Sequence, residues 1–318
     1  MKNPRTLRYQ ILFLVVALAL ATSLTQAQTY TDMHDFNGSD GCCAIYPSML
    51  VQGQDGNIYG GTTSGGVGDG NIFMMTPSGT LTNLHNFNST DGAFPEGGLS
   101  MGTDGVFYGT TYFGGTNRFG TIFKITSSGT FTSLYSFANT TDGAYPRTPP
   151  VQAQDGNLYG TTANGTIAVL YKLTPSGTFT VMVTLAAQSY SPLLLGTDGN
   201  LYGTTVYGGT FNAGTVFQFS PATKKFKTLF NFHTEGSPHG PLMQGVDGAL
   251  QEAVGDDGVP AGGDDGEAHV GGAEIAFDGG GLVVEGVLGL PEAEFQFRSK
   301  LDGEEAAVPG GQLNRRQK

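Results

Sequence analysis

Between residues 28 and 250 the apolar positions fall in short runs closed by glycine, proline, asparagine or aspartate, and none keeps the three-and-four spacing of an amphipathic helix. The runs recur in a fixed order. The hexamer DGNIYG at Asp55–Gly60 returns as DGVFYG from Asp104 and as DGNLYG from Asp155 and Asp198. It starts again as DGAL at Asp247, the intervals being 49, 51, 43 and 49 residues. Each hexamer is followed by a threonine pair, Thr62-Thr63, Thr110-Thr111, Thr161-Thr162 or Thr204-Thr205, and then by a second apolar segment: NIFMMTPSGT, TIFKITSSGT, VLYKLTPSGT or TVFQFSPATK. A third segment follows as LTNLHNF, FTSLYSF, FTVMVTL or FKTLFNF, and Pro47, Pro95, Pro146, Pro192 or Pro238 precedes the next hexamer.

Read physically, one unit is a short strand after the proline, a turn at Asp-Gly, a strand through the tyrosine, a loop, a third strand, a Ser-Gly turn and a fourth strand. Asp-Gly between two strands is the strongest short hairpin signal, because a tight hairpin turn needs positive φ. Four antiparallel strands in this length is the size of a propeller blade. The chain is therefore expected to be all-β, a β-propeller of four-stranded antiparallel blades over residues 28–250, with about four full blades and a partial closing one. Asp55, Asp104, Asp155 and Asp198 are expected to serve their turns by accepting backbone N–H bonds. Tyr59, Tyr108, Tyr159 and Tyr202 are expected to pack between blades. The third copy is the irregular one, with a shortened loop at Ala163–Thr166 and a degenerate end at Leu185–Pro192. The stretch Tyr30–Phe36 matches a fourth strand without its first three, as in a ring closed by strands from both termini.

The order proline, strand, Asp-Gly-Asn-Leu-Tyr, loop, strand, Ser-Gly, strand resembles the NHL-type blade. The fuller pattern, Leu158-Tyr159-Gly160-Thr161-Thr162 through Tyr171-Lys172-Leu173-Thr174-Pro175-Ser176-Gly177, resembles the GloVer tandem repeat of bacterial surface proteins. The resemblance covers about residues 29–250 and implies secretion or surface display. That family is described as choice-of-anchor, because its C-terminal sorting segments vary, and the resemblance brings no catalytic residues with it.

Export is also legible at the N-terminus, where Lys2, Arg5 and Arg8 precede the apolar run Ile11–Ala21 and the small-residue site Thr25-Gln26-Ala27. Residues 1–27 read as a secretory signal cleaved after Ala27, and the run is too short to cross a bilayer. No membrane span is expected in the mature chain. The two cysteines, Cys42 and Cys43, are adjacent and form no disulfide framework. At the other end the repeat stops. After Leu250 the expected Tyr-Gly-Thr-Thr is replaced by Gln-Glu-Ala-Val. From Asp247 onward lie 15 of the 27 acidic and 5 of the 15 basic residues, so this stretch carries −10 of the net −12. Residues 251–318 are expected to be a disordered, non-native or frame-shifted acidic tail that leaves the ring incomplete. A calcium-binding tail is the other reading, but no EF-hand or nonapeptide spacing is present.

The chemistry-bearing residues are few. His34 and His85 share a repeat position with Tyr135 and Phe230 and are expected to be half-buried strand residues. His233 and His239 can bind a metal only with further ligands, and read as solvated loop residues. Gly65-Gly66 and Gly114-Gly115 lack the strand-to-helix setting of a phosphate site. Between Gln28 and Gly245 the only basic residues are Arg118, Lys124, Arg147, Lys172, Lys224, Lys225 and Lys227, scattered in register. No cofactor, catalytic residue or nucleic-acid partner is expected, since an acidic chain without a basic stripe cannot neutralise phosphates. Two functions remain: a surface scaffold whose loops bind an extracellular glycan or protein, or a propeller lyase or hydrolase with a central site. The absence of Trp weakens both, the enzyme more.

Overall fold

The computed structural model describes residues 32–42, 50–66, 68–163, 167–233, 238–245, 249–252, 271–278, 281–288 and 295–298. The expectations for the signal segment with Ala27, for Cys43 and for Asp247 fall outside these residues. The chain divides into the units Met1–Asp35 and Phe36–Lys318; of the first, residues 32–35 are described and form no strand.

The second unit is an all-β, propeller-like assembly of antiparallel blades. No helix occurs among the described residues. Blade one comprises β1 (Leu50–Gln52), β2 (Ile58–Thr62), β3 (Asn71–Met75) and β4 (Leu81–Asn86). Blade two comprises β5 (Leu99–Met101), β6 (Phe107–Thr111), β7 (Thr121–Ile125) and β8 (Phe131–Ser136). Blade three has β9 (Val151–Gln152), β10 (Leu158–Thr161), β11 (Ala168–Leu173) and β12 (Phe179–Leu185), and blade four has β13 (Leu194–Leu195), β14 (Leu201–Thr205), β15 (Thr215–Ser220) and β16 (Lys225–Asn231). In each the strands pair in chain order. A fifth sheet continues from β17 (Leu242–Gln244) and β18 (Leu250–Glu252) into β19 (Gly271–Asp278), β20 (Gly281–Leu288) and β21 (Phe295–Arg298). With residues 249–252, these last three strands are the described part of the acidic stretch; its other residues lie outside.

Why the blades stack is visible in where the apolar side chains go. The first strands adjoin in series, β1 with β5, β5 with β9 and β9 with β13. The core lies between blades rather than within them. Tyr59, Ile72 and Phe87 of blade one close on Leu99, Phe107, Phe123 and Ile125 of blade two, and equivalent clusters fill the next interfaces. In blades one and two a ring at the end of the fourth strand packs edge-on against the third strand of the next blade, Phe87 on Phe123 at 5.3 Å and Phe137 on Tyr171 at 5.8 Å, and Leu185 takes the place in blade three. Phe36 meets Phe73 in the same way at 5.4 Å. The residues expected to form a fourth strand before it are not a strand where they are described, 32–37, because no strand pairs with their backbone there. Phe36 retains the packing role.

Two faces result from this connectivity. The β1–β2 and β3–β4 hairpins and their equivalents form a turn face. The β2–β3 loops and the crossings from one blade to the next form a loop face.

Candidate functional site

The repeated aspartates lie on the turn face. The Tyr59 hydroxyl donates to Asp55 Oδ2 at 2.7 Å, Tyr159 to Asp155 at 2.9 Å and Tyr202 to Asp198 at 2.7 Å. The backbone N–H groups of Asn57, Asn157 and Asn200 donate to the other carboxylate oxygen. In the second blade Val106 stands where the others have asparagine, and its N–H donates to Asp104 at 3.1 Å while Tyr108 faces the same carboxylate. The hydrogen bond from Tyr59 holds Asp55 below its usual range. Burial pushes the Asp155 and Asp198 carboxyls up, but hydrogen bonds from Asn157 and Tyr159, and from Tyr202 and Asn200, outweigh it and leave both lowered. Burial, then the facing carboxylate, pushes the Tyr59 hydroxyl up to about 12. Each carboxylate is thus occupied within its own turn.

The histidines are placed as follows. His85 lies half-buried on β4, stacked on Phe131 at 3.8 Å, with Nε2 3.0 Å from Asp91 Oδ2. Tyr135 repeats this one blade on, stacked on Phe179 at 4.1 Å and donating to Asp142 at 2.9 Å. His34 is half-buried in the first unit. His233 is exposed and stacks on Phe211 at 3.7 Å. Among the described residues no three His, Cys, Asp or Glu side chains gather around a common point. Cys42 N–H pairs with the Ser64 carbonyl at 2.8 Å, the place Ala93 takes against Phe113. Gly65-Gly66 and Gly114-Gly115 lie in β2–β3 and β6–β7 loops, at positive φ.

The loop face carries a constellation that the sequence reading missed. Where the chain crosses between blades, Phe94 and Tyr145 both hold φ 55°, costly for residues with a side chain. Backbone bonds fix them: Phe94 O accepts from Tyr112 N at 2.9 Å and Tyr145 O from Ala163 N at 3.3 Å. Gln188 O accepts from Val206 N in the same way, so Gln188 is their counterpart in the next crossing. Counting on, Ser189, not Pro192, stands where Pro95 and Pro146 do, a correction to the apparent proline repeat. The residue after it is Glu96, Arg147 and Tyr190 in successive crossings, and His239 after Pro238.

One repeat position therefore holds four different side chains, and they meet in sequence. Arg147 Nη1 lies 3.4 Å from Glu96 Oε2. The guanidinium sits over the Tyr112 ring at 4.6 Å and the Tyr190 ring at 5.2 Å, and Tyr190 reaches His239 at 5.6 Å. On the other side Tyr112 leans on Tyr145 at 5.2 Å and meets Phe113 at 4.5 Å, which meets Phe94 at 5.8 Å. The row runs from Phe113, 40 % exposed, to the exposed His239. Two further exposed rings, Tyr207 and Phe211, lie on the same face in the β14–β15 loop. The signal that finds the row is the shared offset of six residues before Gly102, Ala153, Gly196 and Gly245, the residues that open each Asp-Gly turn.

The profile of the Gloeobacter/Verrucomicrobia repeat matches residues 20–168 and again 139–257. Among solved structures, a gluconolactonase of Xanthomonas campestris is similar at 16 % identity over 80 % of this chain and 79 % of that one, with a TM-score of 0.49. The extracellular domain of a one-component system of B. thetaiotaomicron is similar at 12 % identity over 70 % of this chain, with a TM-score of 0.48, and TolB of Acinetobacter baumannii at 14 % over 73 %, with 0.42. The chain spans 27 % and 49 % of the length of these last two. No curated protein matches.

Proposed function

The chain belongs to the Gloeobacter/Verrucomicrobia repeat family, and from that premise we propose that it is an exported bacterial repeat scaffold, secreted or held at the cell surface, that binds an extracellular glycan or protein through its loop face. The signal-like segment ending at Ala27 supports export. The observation that carries the binding reading is the row itself. The turn aspartates and tyrosines keep one residue type, and the half-buried strand position of His85, Tyr135, Val183 and Phe230 varies without an acid or a strong base. The position after the crossing proline instead holds Glu96, Arg147, Tyr190 and His239. Such variety at one position of a rigid frame fits recognition. Among the described residues the carboxylate of the row, Glu96, is paired with Arg147.

The test is binding of the exported full-length chain to arrays of glycans and surface proteins, compared with Arg147→Ala and with Lys124→Ala, a strand residue away from the row. Signals lost in the first variant and kept in the second support the loop face. Signals indifferent to Arg147 sink it.

A further inference from the structure

We propose that the row from Phe113 to His239 is a binding track for an uncharged polysaccharide chain. This rests on the scaffold reading above and names its ligand class.

Three observations carry it. The first is charge: the row's only carboxylate and only guanidinium, Glu96 and Arg147, lie 3.4 Å apart and neutralise one another, and what remains is phenolic and imidazole. An anionic chain laid along the row would meet the Glu96 carboxylate, and a cationic one the Arg147 guanidinium. A chain of hydroxyls meets no net charge there, and the guanidinium edge left outside the ion pair offers it donors. The second is shape. Tyr145, Tyr112, Arg147, Tyr190 and His239 are planar groups set in series at 4.6 to 5.6 Å, so polar edges recur along a line and suit a repeating ligand better than a single compact one. The Tyr190 hydroxyl, for example, already donates to Gln188 Oε1 at 3.1 Å, which orients it. The third is exposed apolar area. Phe113 is 40 % exposed and Tyr207 and Phe211 are each 51 % exposed, all in β2–β3-type loops of this face. The negative face of such a ring accepts the C–H face of a pyranose, and a ring with few rotors loses little entropy on binding.

The row is rigid for reasons that do not involve a ligand. Glu96, Arg147, Tyr190 and His239 follow a proline or its counterpart, next to first strands that adjoin, and Ser191 Oγ donates to the carbonyls of His239 and Gly240 at 2.9 and 2.7 Å, tying the Tyr190 crossing to the His239 crossing. A preorganised line of groups reduces the ordering cost of binding a flexible polymer.

The experiment is affinity electrophoresis of the exported full-length chain in gels containing laminarin, galactomannan, polygalacturonate or heparin, at low and high salt. The expected result is retardation by a neutral polymer that survives high salt, since no screened ion pair carries it. Tyr190→Ala and Arg147→Ala should weaken the retardation about tenfold. Arg147→Lys, which keeps the charge but loses the planar fork, should also weaken it. Tyr207→Ser, at a 51 % exposed position beside the stacked row, tests the track in case the other variants fold poorly, and should weaken retardation without moving the melting temperature. Salt-sensitive retardation by polygalacturonate or heparin alone overturns the uncharged-chain inference and leaves the scaffold reading standing. Retardation by none of the polymers overturns the inference too, and binding to a surface protein that is lost in Arg147→Ala would then show that the scaffold reading survives it.

Discussion

Single side chains at the turns tie stability to pH at both ends of the scale. Asp55, Asp155 and Asp198 have folded values below their ordinary 3.8, so the stability they contribute is complete above 3.8 and is lost as pH falls below it. Tyr59 works in the opposite sense. Its value rises from 10.0 to about 12, so its contribution is complete below 10.0 and is lost as pH climbs through that interval. Melting temperature should therefore decline between pH 10.0 and about 12, and less steeply in Tyr59→Phe; equal slopes would show that this hydroxyl is not held as described. Tyr159→Ala should cost about 3–5 kcal/mol in denaturant unfolding, because the ring is buried between blades three and four. Tyr171 makes the contrary case. It stands where the other blades have Phe73, Phe123 and Phe217, and its buried hydroxyl has no hydrogen-bond partner among the described residues. Removing an unsatisfied hydroxyl relieves a desolvation cost, so Tyr171→Phe should raise stability by about 1 kcal/mol. A less stable variant would mean that the hydroxyl finds a partner, such as a water molecule.

Within each blade the third and fourth strands share one irregularity, a register shift at Ile72/Phe73, Ile122/Phe123, Leu170/Tyr171 and Val216/Phe217. The residue after the shift is the ring that lies over the glycine of the second strand. A Cβ at Gly109 would sit 2.5 Å from Phe123 Cζ, and at Gly203 the same distance from Phe217 Cζ. Gly109→Ala should thus cost about 1–3 kcal/mol by overpacking, read from unfolding midpoints, and a neutral outcome would show that the ring can move aside. This also explains what was legible in the sequence. Asp-Gly, tyrosine and the glycine after it recur because turn geometry, inter-blade burial and ring clearance each admit few residues. The Glu96–His239 row was not legible, since nothing in the backbone constrains residue type there. Its register was further masked because Ser189 replaces a proline while Pro192 lies three residues beyond.

Across the whole molecule the interfaces follow one another in series, so stability should divide by joint, as in other repeat proteins. Phe36→Ala removes the ring packed on Phe73 and should lower amide-exchange protection in β3 while leaving β15 unchanged; a uniform fall in both would show a single cooperative unit. Export carries its own expectation: the mature chain should begin at Gln28, and N-terminal sequencing that starts at Met1 would contradict it. The row has a consequence of a different kind. Glu96, Arg147, Tyr190 and His239 in it come from four separate crossings, and each is borne by a backbone that its own blade holds in place. On the proposed reading, a change at one of them alters a letter of the recognition surface without rewriting the grammar that folds the blade. Four such letters make a small combinatorial alphabet, in which Glu-Arg-Tyr-His is one word, and copies of this architecture can spell different ligands from an unchanged frame.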